Sequence, residues 1–180
     1  TREAGSHEKI EVILHLPMEP ESNEYRLEEN TIMISMAPEA IKDLIDGALK
    51  SVSGARGVSN HMGSRATQDP KTMKWIFEEL KERNLFFMDN LVTYRSVCGD
   101  LAEEMDLPHI ERDVFLDNEP NPAYIEKQVM ELSRKAAQGG VAVGVGHDRT
   151  HTLEVLSKII PQLKKDGFVF VRLSEILDRL

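Results

Sequence analysis

Short apolar runs alternate with longer stretches of helical period along the whole chain. Lys9-Ile10-Glu11-Val12-Ile13-Leu14 reads as a strand, and Pro38 to Val52 as a helix with Ile41, Leu44, Ile45 and Leu49 on one face. Ala55 to Ser59 is a second strand. Asp69-Pro70 then opens a helix through Met73, Ile76, Phe77 and Leu80, with Asp as N-cap and Pro in the first turn. Leu85 to Met88 is the next strand, followed by a helix from about Tyr94 to Met105, a strand at Val114 to Leu116, and a helix from Pro122 to Gln138 that stops at Gly139-Gly140. Val141 to Val145 reads as a buried strand. A helix over Leu153 to Lys165 closes at Gly167, a strand spans Phe168 to Val171, and a short helix starts at Ser174. Strands apolar on both faces that alternate with helices predict an α/β protein, a parallel sheet covered by helices. Periodicity leaves open whether that sheet is open or closed. No Gly-rich phosphate loop follows a strand, which disfavours a nucleotide-binding doubly wound sheet and favours a barrel.

A length of 180 residues fits one domain with one core. Hydrophobic residues at 41% and charged residues at 29% are ordinary globular values, and a formal net charge of -9 without a basic patch argues against nucleic acid as a partner. The apolar runs are far shorter than the ~20 residues needed to cross a bilayer, so no membrane span is expected. The single cysteine, Cys98, excludes an intrachain disulfide and a cysteine-cluster zinc site, and its helical setting predicts a buried structural thiol. The chain opens on Thr1 without an initiator Met, which leaves room for upstream residues.

In parallel α/β folds, chemistry gathers at the carboxyl ends of strands. The residues that follow the apolar runs are His15, Asn60-His61, Asp89-Asn90, Asp117-Asn118, His147-Asp148 and Arg172. Three of the 6 histidines thus fall at strand ends with carboxylates beside them, a set suited to a divalent metal and its water. The bland alternative is that Asp and Asn at these places start turns or cap helices, and it stays open for Asp117-Asn118. His7 and His109 are placed in loops and His151 near a helix start, and none is given chemistry. Gly63, Gly144 and Gly146 beside the histidines would allow close backbone approach or fill a tight interior.

The segments His15-Leu16-Pro17-Met18-Glu19-Pro20, Asn60-His61-Met62-Gly63-Ser64-Arg65, Phe86-Phe87-Met88-Asp89, Phe115-Leu116-Asp117-Asn118 and Gly146-His147 together resemble the divergent polysaccharide deacetylases, relatives of the NodB-type carbohydrate esterases. The resemblance runs from about Glu11 to the C-terminus. It implies a distorted (β/α) barrel, a divalent metal cofactor, usually zinc, and removal of acetyl groups from an acetylated carbohydrate by a protein working outside the cytoplasm. Family members begin with a strand that ends in paired aspartates. No Asp-Asp pair occurs here, so the first β/α units are expected to lie outside this chain. Carried over by position, His15 and His61 would hold the metal with Glu19 as a third ligand, and His147 would be the general acid. Asp89 would orient an imidazole or bind sugar, and Asn60, Arg65 and Asp117 would contact substrate. Asn90 and Leu91 depart from the family's usual Asp-Ser and Thr-Ser at that loop. The alternative reading is a non-catalytic glycan-binding or envelope scaffold protein that keeps the fold.

Overall fold

The computed structural model describes residues 10–24 and 26–178. His7 and Lys9, the first residue of the first expected strand, lie outside the described residues. The chain divides into two compact units, one running to Glu111 and taking in the segment from Arg172, the other Arg112–Val171.

The first unit follows the predicted alternation through β1 (Ile13–Met18), α1 (Pro38–Ser51), β2 (Gly57–Met62), α2 (Pro70–Glu82), β3 (Phe86–Asp89) and α3 (Cys98–Met105), and adds a strand that the pattern did not predict, β4 (His109–Glu111). The strands form one parallel sheet in the order β1-β2-β3-β4. The helices form for the reasons the pattern gives. Pro38 starts α1, which buries Ile41 and Ile45, and the Asp69 carboxylate caps α2 by accepting the Thr72 N–H at 2.7 Å. Phe77 of α2 packs on Phe87 of β3 with ring centroids 5.1 Å apart. Gly57 lets β2 lie against β3, since a Cβ there would drive into the Phe86 ring.

Register fixes which side chains share a face, because partners across a parallel ladder point the same way and neighbours along a strand point oppositely. Leu14, Val58, Phe87 and His109 make one row, on the face packed against the helices. His15, Ser59, Met88 and Ile110 make a row on the other face.

The second unit contains β5 (Val114–Phe115), α4 (Pro122–Gly139), β6 (Gly144–Val145) and α5 (Thr150–Lys165). β5 and β6 pair in parallel as a separate sheet. Asn121 caps α4 by accepting the Ala123 N–H at 2.9 Å, and α4 ends at Gly140, whose φ of 83° suits the left-handed cap. Val114, Leu116, Ile125, Val129, Val155 and Leu163 form the core of this unit. The chain closes in the first unit with α6 (Leu173–Leu177).

Several boundaries differ from expectation. β1 starts only at Ile13, so residues 10–12 are not strand, but β1 and β2 both run further than the apolar runs suggest, so His15 and His61 lie on strands rather than after them. Phe168–Val171, expected as a strand, pairs with no strand among the described residues, and Val169 is 82% exposed. β4 goes the other way: His109, expected in a loop, is a strand residue, because backbone pairing with β3 outweighs a segment whose one buried apolar residue is Ile110. The parallel α/β class stands. The described strands form two sheets, of four and two strands, and no closed sheet is present among them. No helix of the described residues is long and apolar enough to cross a membrane.

Candidate active site

His15 and His61 stand on the face of the sheet opposite the helices, brought together by the β1–β2 register. His61 Nδ1 and His15 Nε2 are 3.2 Å apart, with the rings edge to face at a centroid distance of 5.0 Å. Each ring has its other nitrogen turned to an oxygen: His15 Nδ1 lies 2.8 Å from Ser59 Oγ, and His61 Nε2 lies 3.7 Å from a Glu28 carboxylate oxygen. If those outer nitrogens carry the protons, two lone pairs face one another, an arrangement a proton or a metal cation would stabilise. With Zn–N bonds of about 2.0–2.1 Å, a 3.2 Å separation subtends about 100° at the ion, near the tetrahedral value. The donor set therefore fits a divalent metal.

Behind this pair, on the helix side, Asn60 is only 1% exposed and fully engaged. Its Oδ1 accepts the Asn90 N–H at 2.8 Å, its Nδ2 donates to the Met62 carbonyl at 2.8 Å, and Asn90 Nδ2 donates to the Asn60 carbonyl at 2.7 Å. Met62, the last residue of β2, and Leu91, two residues past the end of β3, sit at φ of 52° and 45°. A left-handed residue other than Gly costs about 1–2 kcal/mol, so the Asn60–Asn90 clasp holds two strained turns that set where His61 and Asp89 end up. The Asn60 amide, expected to meet substrate, is spent on this backbone work.

Glu19 is buried, with Oε2 accepting the Ile34 N–H at 2.7 Å and Oε1 paired with Arg65 at 3.1 Å. Its carbonyl accepts the N–H groups of Arg65 and Ala66, so Glu19 pins the turn after β2 to the segment after β1. Arg65 keeps about half of its side chain exposed. Among the described residues, the one group of three side chains whose ligand atoms come within 4.8 Å of one another is Asp89, His109 and Glu111, and it contains neither Glu19 nor the histidine pair.

Asp89 accepts the Leu91 N–H at 2.8 Å and the Ser96 hydroxyl at 2.5 Å. Burial holds the His109 imidazole below its ordinary pKa, against an opposing pull from the Asp89 charge. Neither His109 nor Glu111 was singled out by the sequence pattern; the signal was a His-x-Glu spacing that places both on one face of a very short strand. Cys98 is buried as expected, and desolvation with the nearby Asp89 charge pushes its thiol up, so it stays protonated and unreactive.

The second unit brings Asp117 and His147 together. Asp117 Oδ1 lies 2.9 Å from His147 Nδ1, and Oδ2 accepts the His147 N–H at 2.9 Å and the Thr152 hydroxyl at 2.7 Å. Burial raises the Asp117 pKa, but these hydrogen bonds and the His147 ring outweigh it and hold the carboxyl below its ordinary value. Asp117 is fully buried while about half of the His147 side chain is exposed. The carboxylate, expected at the substrate, thus orients the imidazole, fixing Nδ1 inward and leaving Nε2 as the other proton site. Phe115 packs against the same ring at 5.4 Å. Arg172, the last of the residues that follow an apolar run, pairs with Glu175 at 2.6 Å, and His151, which was given no chemistry, is exposed and faces Glu154 at 3.9 Å.

The first unit thus carries a buttressed histidine pair and the second an Asp–His dyad, each on a parallel α/β framework. Residues 1–177 match the divergent polysaccharide deacetylases, and the chain belongs to that family. An uncharacterised protein of Haemophilus influenzae is 32% identical over 156 residues, which are 87% of this chain and 55% of that protein. The uncharacterised protein YibQ of Escherichia coli K12 is 32% identical over 168 residues, 93% of this chain and 52% of that protein. The chain thus spans about half the length of these curated relatives. A peptidoglycan-N-acetylglucosamine deacetylase of Bacillus cereus is 39% identical over 59 residues, 32% of this chain and 27% of that enzyme. The crystal structure of an uncharacterised protein from Agrobacterium tumefaciens C58 shares the fold, with a TM-score of 0.90 at 23% identity over 93% of this chain and 68% of that one.

Proposed function

We propose that the protein is a metal-dependent hydrolase that removes acetyl groups from a carbohydrate, acting on an N-acetylated amino sugar of a cell-envelope glycan outside the cytoplasm. The observation that carries the reading is the pair of imidazole nitrogens 3.2 Å apart, each ring backed by an oxygen, in a chain of the deacetylase family. The stretch shared with the Bacillus cereus peptidoglycan deacetylase supports the substrate class. The alternation of parallel strands with helices, in a chain of the deacetylase family, supports a distorted (β/α) barrel.

His15 and His61 would hold the metal, zinc being the ion that best suits paired imidazoles. When bound, it supplies a Lewis acid that polarises the acetyl carbonyl and lowers the pKa of water to about 7. The chain's residues do the rest. Ser59 and Glu28 hold the two rings in orientation. Within the second unit, His147, its ring oriented by Asp117, would supply the general acid that its position in the family pattern implies. The exposed Arg65 guanidinium offers hydrogen bonds to the sugar.

The test is His61→Ala, with metal content and acetate release from N-acetylglucosamine oligomers measured on the same preparation. The proposal expects the pair's metal to be lost and turnover to fall to background. Undiminished acetate release would overturn it. Glycan binding without release by the wild-type protein would favour the scaffold alternative.

A further inference from the structure

We propose that Asp89, His109 and Glu111 form a second divalent-cation site, distinct from the histidine pair, that ties the ends of β3 and β4 together. The three side chains share the helix-covered face of the sheet: Asp89 is the register partner of Glu111, and His109 that of Phe87. His15 and His61 point from the opposite face, so one ion cannot serve both sets.

The donor atoms of the three residues lie within 4.8 Å of one another. Metal–ligand bonds of about 2.0–2.2 Å put neighbouring donors roughly 3–4 Å apart, so modest side-chain rotations close the set around an ion. Asp89 is fully buried; Oδ1 accepts the Leu91 N–H and Oδ2 the Ser96 hydroxyl, and the Cys98 thiol is a further hydrogen-bond partner of the carboxylate. His109 stacks flat on Phe87, with centroids 6.1 Å apart and planes 12° from parallel, which fixes the ring. Its Nε2 is buried and has no hydrogen-bond partner among the described residues. Gly99, at the start of α3, keeps the space open, since a Cβ there would stand 3.1 Å from Glu111 Oε1 and 4.0 Å from His109 Cε1.

Two carboxylates and one imidazole suit Zn²⁺ or Mn²⁺, with water completing the shell. The location, on the packed face beneath α3, suits a structural ion better than one that must meet a glycan. Such an ion would cross-link residues supplied by consecutive β/α units and gather two negative side chains around a compensating charge.

The test is a titration of chelator-treated protein with Zn²⁺ and, separately, Mn²⁺, followed by calorimetry and elemental analysis. Wild type is expected to bind two equivalents. Glu111→Gln, a conservative change at an exposed position, should lose one and keep the other, as should His109→Gln. The double variant His15→Ala/His61→Ala should keep the equivalent that Glu111→Gln loses. Retention of two equivalents by both Glu111→Gln and His109→Gln would overturn the proposal, as would a wild type whose bound metal is lost entirely in His15→Ala/His61→Ala. Failure of the deacetylase reading shows instead as undiminished acetate release by His61→Ala, so the two claims fail separately.

Discussion

Replacing Asn60 by Ala probes how the candidate site is held, because this one side chain spans two strand ends. The change removes the acceptor of the Asn90 N–H and the donor to the Met62 carbonyl, at a residue 1% exposed. Leaving a buried backbone donor unsatisfied costs about 1–3 kcal/mol, and losing the second bond adds about 1 kcal/mol, so a loss of about 2–4 kcal/mol is expected. At roughly 2–4 °C per kcal/mol for a chain of this size, the melting temperature should drop by about 4–16 °C. Trp75, the single tryptophan, lies on α2 in the same unit, so its fluorescence during urea unfolding reports on this sheet. The m-value should stay unchanged while the midpoint falls. Asn60→Asp separates the two bonds: it keeps the acceptor for Asn90 and sets a carboxylate oxygen against the Met62 carbonyl, so it should lie between wild type and Asn60→Ala only if both bonds matter. A loss below about 0.5 kcal/mol in Asn60→Ala would refute the clasp as the support of the strained turns.

Other outcomes follow from the same geometry. Leu91→Gly, at φ 45°, should leave stability unchanged or raise it by up to about 1 kcal/mol, because relief of left-handed strain offsets the lost side chain; a loss above about 1 kcal/mol in urea would contradict this. Asp117 has a folded pKa below the ordinary 3.8, so its ionised form stabilises the fold above that value and the contribution fades as pH falls through the folded one. Asp117→Asn should therefore weaken the protein near neutrality and flatten the acid limb of its stability curve, measured by unfolding at stepped pH. His109 is also lowered, from 6.5, so below that pH the unfolded chain takes up a proton that the folded one refuses. Metal-free protein should lose stability as pH falls below 6.5, and His109→Phe should remove that part of the loss. His147→Ala should cut acetate release about 10²- to 10⁴-fold while leaving metal content intact, measured by single-turnover assay.

Much of the first unit was legible because its helices are amphipathic and capped: Asp69-Pro70 and the Ile41/Ile45 spacing mark α2 and α1 with little ambiguity. Strand ends were harder, since a parallel sheet is paired through backbone and tolerates polar residues that break an apolar run. That is why β1 continues through His15 to Met18 and why β4, with His109 and Glu111, was not visible. The reverse holds at Phe168–Val171, whose apolar character reads as a strand yet finds no partner among the described residues. At the site, the histidines were legible by type and position, but Asn60 and Asp117 look the same in sequence whether they meet a ligand or a backbone. Only the register of β2 with β3 and the approach of Asp117 to His147 show that they support other groups.

Metal-dependent deacetylation is best tested by acetate release from an N-acetylated glucosamine oligomer, using chelator-treated protein to which zinc is returned in steps. No release is expected without metal, restored release on zinc addition, and none in His15→Ala/His61→Ala at any zinc concentration. Release that is indifferent to chelation, or that persists in the double variant, would contradict it.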